Sequence, residues 1–188
     1  MSKFAHDVDK FEKDERRSIK QMEWAMEAKR FEEWINNMDR KTVVNYITKQ
    51  WAKINHQNPN DNYFAMFKHI WFASTELLSG LEVQVVIDGD YKIHVSSGTA
   101  GYVDFPVNPV GMKLPIKLWV HTHPFGSAYF SGTDWRTVNT WQPLMEQAFV
   151  LGGENHYGFW HQREPNTLLI HHSNGRMETQ TQHRREEE

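Results

Sequence analysis

His121-Thr122-His123-Pro124, followed by Ser131 and Asp134, combine residue types that bind a divalent metal. Leu114 to Val120 read as a strand that runs into the first histidine and ends at Pro124. Side chains alternate faces along a strand, so His121 and His123 project to the same side, about two residue rises apart. Two imidazoles so placed suit a divalent ion. Ser131-Gly132-Thr133-Asp134 reads as a helix start, with Ser131 as N-cap and Asp134 in the first turn. Folding that turn back would bring Asp134 to the metal as a third ligand. Two His and one carboxylate leave a fourth tetrahedral position for water, as in a catalytic rather than a structural zinc site. Either piece alone is common, since strand histidines are often partly exposed and S-x-x-D is often only a cap. The combination at this spacing is far more specific.

The pattern H-x-H-P-x6-S-x2-D resembles the motif of the JAMM (MPN-plus) metalloproteases, including the proline after the second histidine. Asn108 to Lys113, leading into Lys117-Leu118-Trp119-Val120, is similar to the approach strand of small archaeal members. The resemblance spans roughly residues 63–177. It implies an α/β fold, a central mixed β-sheet flanked by helices, JAMM/MPN-like and cytidine-deaminase-like. It implies Zn2+ held by His121, His123 and Asp134, with Ser131 beside the tetrahedral intermediate. It also implies cleavage of a peptide or isopeptide bond, with a protein or peptide substrate that can carry a ubiquitin-like modifier.

The family's acid/base is an upstream glutamate, commonly in E-x-x-G. Glu76, in Ser74-Thr75-Glu76-Leu77-Leu78-Ser79-Gly80 after an apolar helical pattern, is the best match, with Ser79 where glycine is usual. Glu82 is the rival, in the alternating pattern Leu81-Glu82-Val83-Gln84-Val85, where it reads equally as a solvent-facing strand residue. The chemistry requires such a group. A carboxylate within hydrogen-bond reach takes a proton from water and returns it to the leaving amine. A metal and a hydroxyl stabilise the developing oxyanion. Each histidine should also donate its second ring N–H to an outer acceptor.

The elements that must position these residues are legible in outline. Residues 1–58 form a helical extension. Ile19, Met22, Met26, Phe31, Trp34, Ile35 and Met38, then Val44, Ile47, Trp51 and Ile54, recur at helical spacing. Pro59 lies in a turn-rich boundary, and residues 59–178 form the JAMM/MPN-like domain, opening with a helix through Phe64, Phe67 and Ile70 or Trp71. Residues 82–87 and 91–95 predict a hairpin around Asp88-Gly89-Asp90. A central strand at 117–120 and a motif helix from Asp134 come next, with Pro143 ending or kinking the helix. Strands are predicted at 148–151, 157–162 and 167–171, and residues 179–188 read as a disordered polar tail. Phe125, Tyr129 and Phe130, in the loop between the ligands, are candidate substrate contacts. His156, His161, His171 and His172 read as exposed or hydrogen-bonded histidines.

Composition bounds the alternatives. A chain of 188 residues supports one domain plus an extension. The absence of cysteine excludes disulfides, thiolate catalysis and cysteine-based zinc sites. A net charge of −3 gives no reason to invoke nucleic acid. The charged N-terminus predicts no signal peptide, and no apolar run reaches membrane-spanning length, so a cytoplasmic protein is expected. The apolar stripes of the extension suit a homo-oligomer or a partner. Three other readings fit parts of the chain. They are a non-catalytic MPN-like interaction module, a phage-type cell-wall peptidase and a RadC-like protein that shares the histidine pattern. The complete ligand set, the missing second peptidase domain and export signal, and the acidic balance weigh against them respectively.

Overall fold

The computed structural model describes residue 26 and residues 39–54, 59–98, 111–124 and 126–182. The expected helices over residues 18–38 lie outside these, apart from the helical Met26. From Arg40 onward the described residues belong to one compact unit. It is an α/β protein with a seven-stranded mixed open sheet among the described residues, in the order β2-β1-β3-β4-β5-β6-β7.

The strands are β1 (Val83–Ile87), β2 (Ile93–Ser97), β3 (Leu118–Thr122), β4 (Gln147–Gly153), β5 (His156–His161), β6 (Thr167–His171) and β7 (Met177–Thr181). β3 and β4 run parallel and every other pair is antiparallel. A parallel neighbour requires a crossover, and the segment containing α3 (Gly132–Trp141) supplies it. The expected hairpin, central strand and three later strands are all present. The motif helix ends at Trp141, and a 3-10 turn at Gln142–Leu144 containing Pro143 leads into β4. Proline lacks the N–H that would continue the helical ladder, which accounts for the early end.

Two apolar layers sandwich the sheet. On one face Val83, Val85, Ile87, Leu118, Val120, Phe149 and Leu151 pack with helices α1 (residues 39–51) and α2 (Pro59–Phe72). Val43, Ile47 and Trp51 form the buried stripe of α1 at offsets of four, so Val43 rather than Val44 faces the core. α2 buries Tyr63, Met66, Phe67 and Ile70 and leaves Phe64 exposed. The helical residues 40–51, grouped with the extension on sequence, are thus part of the domain core. On the other face Val86, Trp119, Val150, Trp160, Leu168 and Ile170 pack with Phe130, Trp135 and Val138.

Residues 177–181, which overlap the expected polar tail, instead form the edge strand β7. Met-Glu-Thr-Gln-Thr has no apolar alternation to reveal a strand. Its backbone pairs with β6, and two of its polar side chains reach the loop before α3. No helix among the described residues is long and apolar enough to cross a membrane.

Candidate metal centre

The centre forms where β3 ends. His121 is the fourth residue of the strand and His123 comes directly after its last residue, so both rings emerge on the α3 face. α3 is capped by Ser131, whose side chain accepts the Asp134 N–H at 3.2 Å. The Ser131 N–H donates to Asp134 Oδ2 at 2.7 Å, completing a reciprocal capping box. The cap holds the Asp134 carboxylate at the helix N-terminus, where the dipole favours its charge.

His121 Nε2 lies 3.2 Å from His123 Nε2 and 3.1 Å from Asp134 Oδ1. His123 Nε2 lies 3.4 Å from Asp134 Oδ2. Tetrahedral zinc with bonds near 2.0–2.1 Å separates its ligand atoms by about 3.4 Å. The three side chains therefore stand at ligand spacing, and the group is one that could hold a metal ion. Without a cation the two Nε2 atoms must share protons with each other and with Asp134, whereas a cation between them would use both lone pairs.

The electrostatics fit a cation. Burial opposes the charge of Asp134, but His121 and the hydrogen bonds from both histidines and Ser131 hold its carboxyl far below the usual range. Burial pushes His121 down, keeping the imidazole neutral as metal ligation requires. Burial also works against a charge on His123, but the hydrogen bond and charge of Asp134 outweigh it and raise the ring.

Glu82 is the carboxylate brought to this group. β1 pairs β3 with Gln84 opposite His121, and continuing that register by two residues sets Glu82 opposite His123. Glu82 is 5% exposed. Burial pushes its carboxyl up to about 7, with His123 lowering it and Asp134 raising it. Glu76 sits exposed on the π-helical turn Ala73–Leu77. Alternation suggested a solvent-facing Glu82 because it presumes that one sheet face is wet. Here every residue of β1 is buried, so Glu82 and Gln84 are polar groups on a covered face.

The other expected site residues are distributed unevenly. Phe125 lies outside the described residues. Phe130 is buried, its ring 6.0 Å from that of His121 and 5.2 Å from Trp135. Tyr129 is half-buried and donates its hydroxyl to Glu178 at 2.7 Å. Ser131 is exposed at the helix start.

Several supporting residues escaped the sequence reading. Trp119 stacks on His121 with centroids 4.5 Å apart at 14°, and donates its indole N–H to Gln84 at 2.8 Å. His123 donates Nδ1–H to the Ser127 carbonyl at 3.2 Å, which directs Nε2 toward His121 and Asp134. The loop carrying Ser127 is itself pinned. His156 donates Nδ1–H to the His171 carbonyl and accepts the Ala128 N–H on Nε2 at 3.3 Å. Gln180 accepts the Phe130 N–H at 2.9 Å and donates to the Phe130 carbonyl at 3.0 Å. Ala128 is fully buried against β5, and a Cβ on Gly158 would stand 2.4 Å from its carbonyl oxygen. Glycine is what lets the loop lie this close.

No protein-family model, curated protein or solved structure matches this chain.

Proposed function

We propose that this protein is a zinc-dependent hydrolase that cleaves a peptide or isopeptide bond, in the manner of the JAMM proteases its motif resembles. One observation carries the reading. His121, His123 and Asp134 stand at ligand spacing, and the β1–β3 register sets a buried carboxylate, Glu82, opposite His123. A structural zinc is normally enclosed by four protein ligands, whereas three ligands beside an acid/base leave room for water and substrate.

His121, His123 and Asp134 would hold the ion. A zinc ion there supplies Lewis acidity and lowers the pKa of a coordinated water toward neutrality. Glu82 takes the proton released as water oxygen attacks the carbonyl carbon, then delivers it to the nitrogen as the C–N bond breaks. Without a metal, burial pushes its carboxyl up to about 7, and a bound cation would draw it lower, toward the ionised form that accepts the proton of water. The Ser131 oxygen accepts a helix N–H, so its proton remains available to the oxyanion of the tetrahedral intermediate. Asp134 stays ionised throughout.

The substrate is proposed as a protein or peptide, with a ubiquitin-like conjugate among the first to try. The test is hydrolysis of a panel of peptide and isopeptide conjugates by the zinc-loaded protein, with Glu82→Gln as control. Cleavage by wild type, with intact zinc binding but no turnover in Glu82→Gln, supports the reading. A zinc-loaded wild type that cleaves none of the panel overturns it in favour of an interaction module.

A further inference from the structure

Behind the metal centre, on the opposite face of β3, a chain of hydrogen bonds ends on both sides of Glu82. The Val83 N–H donates to Thr122 Oγ1 at 2.9 Å. The Thr122 hydroxyl donates to Ser74 Oγ at 3.0 Å. The Ser74 hydroxyl donates to the Leu81 carbonyl at 2.6 Å. Both hydroxyl residues are 0% exposed. An amide N–H can only donate and a carbonyl can only accept, so these bonds run in one direction. Each hydroxyl spends its single proton within the chain.

The two ends of this relay are the peptide groups flanking Glu82. Its middle, Thr122, lies between the two histidine ligands in sequence, with its side chain on the other face of the strand. Ser74 owes its position to the π-helical turn. In that turn Leu78 N–H reaches the Ala73 carbonyl, and Gly80 N–H bonds the Ser74 carbonyl at 2.8 Å. Positive φ angles at Ser79 (51°) and Gly80 (92°) then reverse the chain into β1. Single π-turns inside helices recur at functional sites, since the extra residue re-aims the downstream backbone.

We propose that Thr122 and Ser74 are positioning residues for Glu82, fixing its carboxylate relative to His121 and His123 from behind the sheet. The inference rests on the reading of Glu82 as the acid/base. A relay that merely stitched β1 to β3 would affect stability alone. A relay that aims Glu82 affects the proton transfer and spares the metal.

The experiment uses the full chain carrying Thr122→Val, which keeps the shape and removes the hydroxyl, together with Ser74→Ala and the conservative Thr122→Ser. Zinc affinity is measured by chelator competition, and kcat and KM on a cleaved conjugate. The 13C resonance of the Glu82 carboxyl is recorded with and without zinc. Thr122→Val should bind zinc as wild type does, with kcat lower by about 10–100-fold and KM little changed. Thr122→Ser should recover most of the loss. In a Glu82→Gln background Thr122→Val should cost nothing further. The zinc-induced change in the Glu82 resonance should shrink in Thr122→Val and return in Thr122→Ser. Full kcat in a folded Thr122→Val, an equal loss in the Glu82→Gln background, or a fall in zinc affinity that tracks activity would each overturn the proposal. Should the zinc-loaded wild type cleave nothing, the hydrolase reading fails by itself and the resonance decides. An unchanged zinc response in Thr122→Val then overturns the positioning role, and a lost response upholds it.

Discussion

At the scale of single residues, the grouping of the three candidate ligands was legible because they are close in sequence and each rests on a local rule. Strand alternation puts His121 and His123 on one side, and a helix cap turns Asp134 back toward them. His123→Ala should therefore lose most of the zinc bound by the wild type while the far-ultraviolet circular dichroism is retained. Equal zinc content measured by atomic absorption would refute the assignment. The burial of Glu82 was harder to read, because it depends on what covers β1, and that is a long-range fact. The same burial gives it a second signature. In the metal-free protein its carboxyl is pushed from 4.5 up to about 7. Between those values the folded state holds more protons at this site than the unfolded state. Stability from this group therefore falls as pH rises through that window, and the penalty is complete above 7. Metal-free Glu82→Gln should melt higher than metal-free wild type at pH 8, and the two should converge near pH 4. Glu76→Gln, on the exposed π-turn, should leave turnover intact. Thermal melts in chelator across that range read the first outcome, and a kinetic comparison reads the second.

At the scale of elements, the segment joining the two ligand groups is held by parts of the chain far from it in sequence. His156 at the start of β5 grips Ala128, and Gln180 in β7 grips both polar groups of the Phe130 backbone. Local sequence gives no hint of these contacts. A histidine in a loop-flanked strand and a glutamine in a polar run carry no signal of what they touch. His156→Ala and Gln180→Leu should each lower zinc affinity by about 10–100-fold with the sheet intact. Gly158→Ala should act in the same sense, since its new methyl would stand 2.4 Å from the Ala128 carbonyl. Unaltered chelator competition in all three variants would show that the loop needs no such hold. Ser131→Ala removes the cap and should cost about 1 kcal/mol of stability in denaturant unfolding, besides weakening zinc binding.

At the scale of the whole molecule, the mixed sheet with helices packed on it could be read from the order of helical and strand patterns, while its edges could not. The amphipathic run ending at Trp51 has the pattern of an extension. Its buried stripe, Val43, Ile47 and Trp51, belongs to the same cluster as Val85 and Val120 behind the metal centre. Each such burial contributes on the order of 1.5–3 kcal/mol. Relative to the full chain, one beginning at Pro59 should lose roughly 4.5–9 kcal/mol or fail to fold. Urea unfolding of the two separates these outcomes, and equal stability would show that the helix is dispensable. The polar edge strand has a consequence for how the molecule is made. All three ligands emerge from the ribosome by residue 134, yet Gln180 and Glu178, which steady the loop between them, emerge more than forty residues later. The nascent chain can thus carry all three candidate ligands without yet having the contacts that steady the loop between them. Tight metal binding at this group should therefore await β7, and chains arrested before Met177 should retain less zinc than chains that include it.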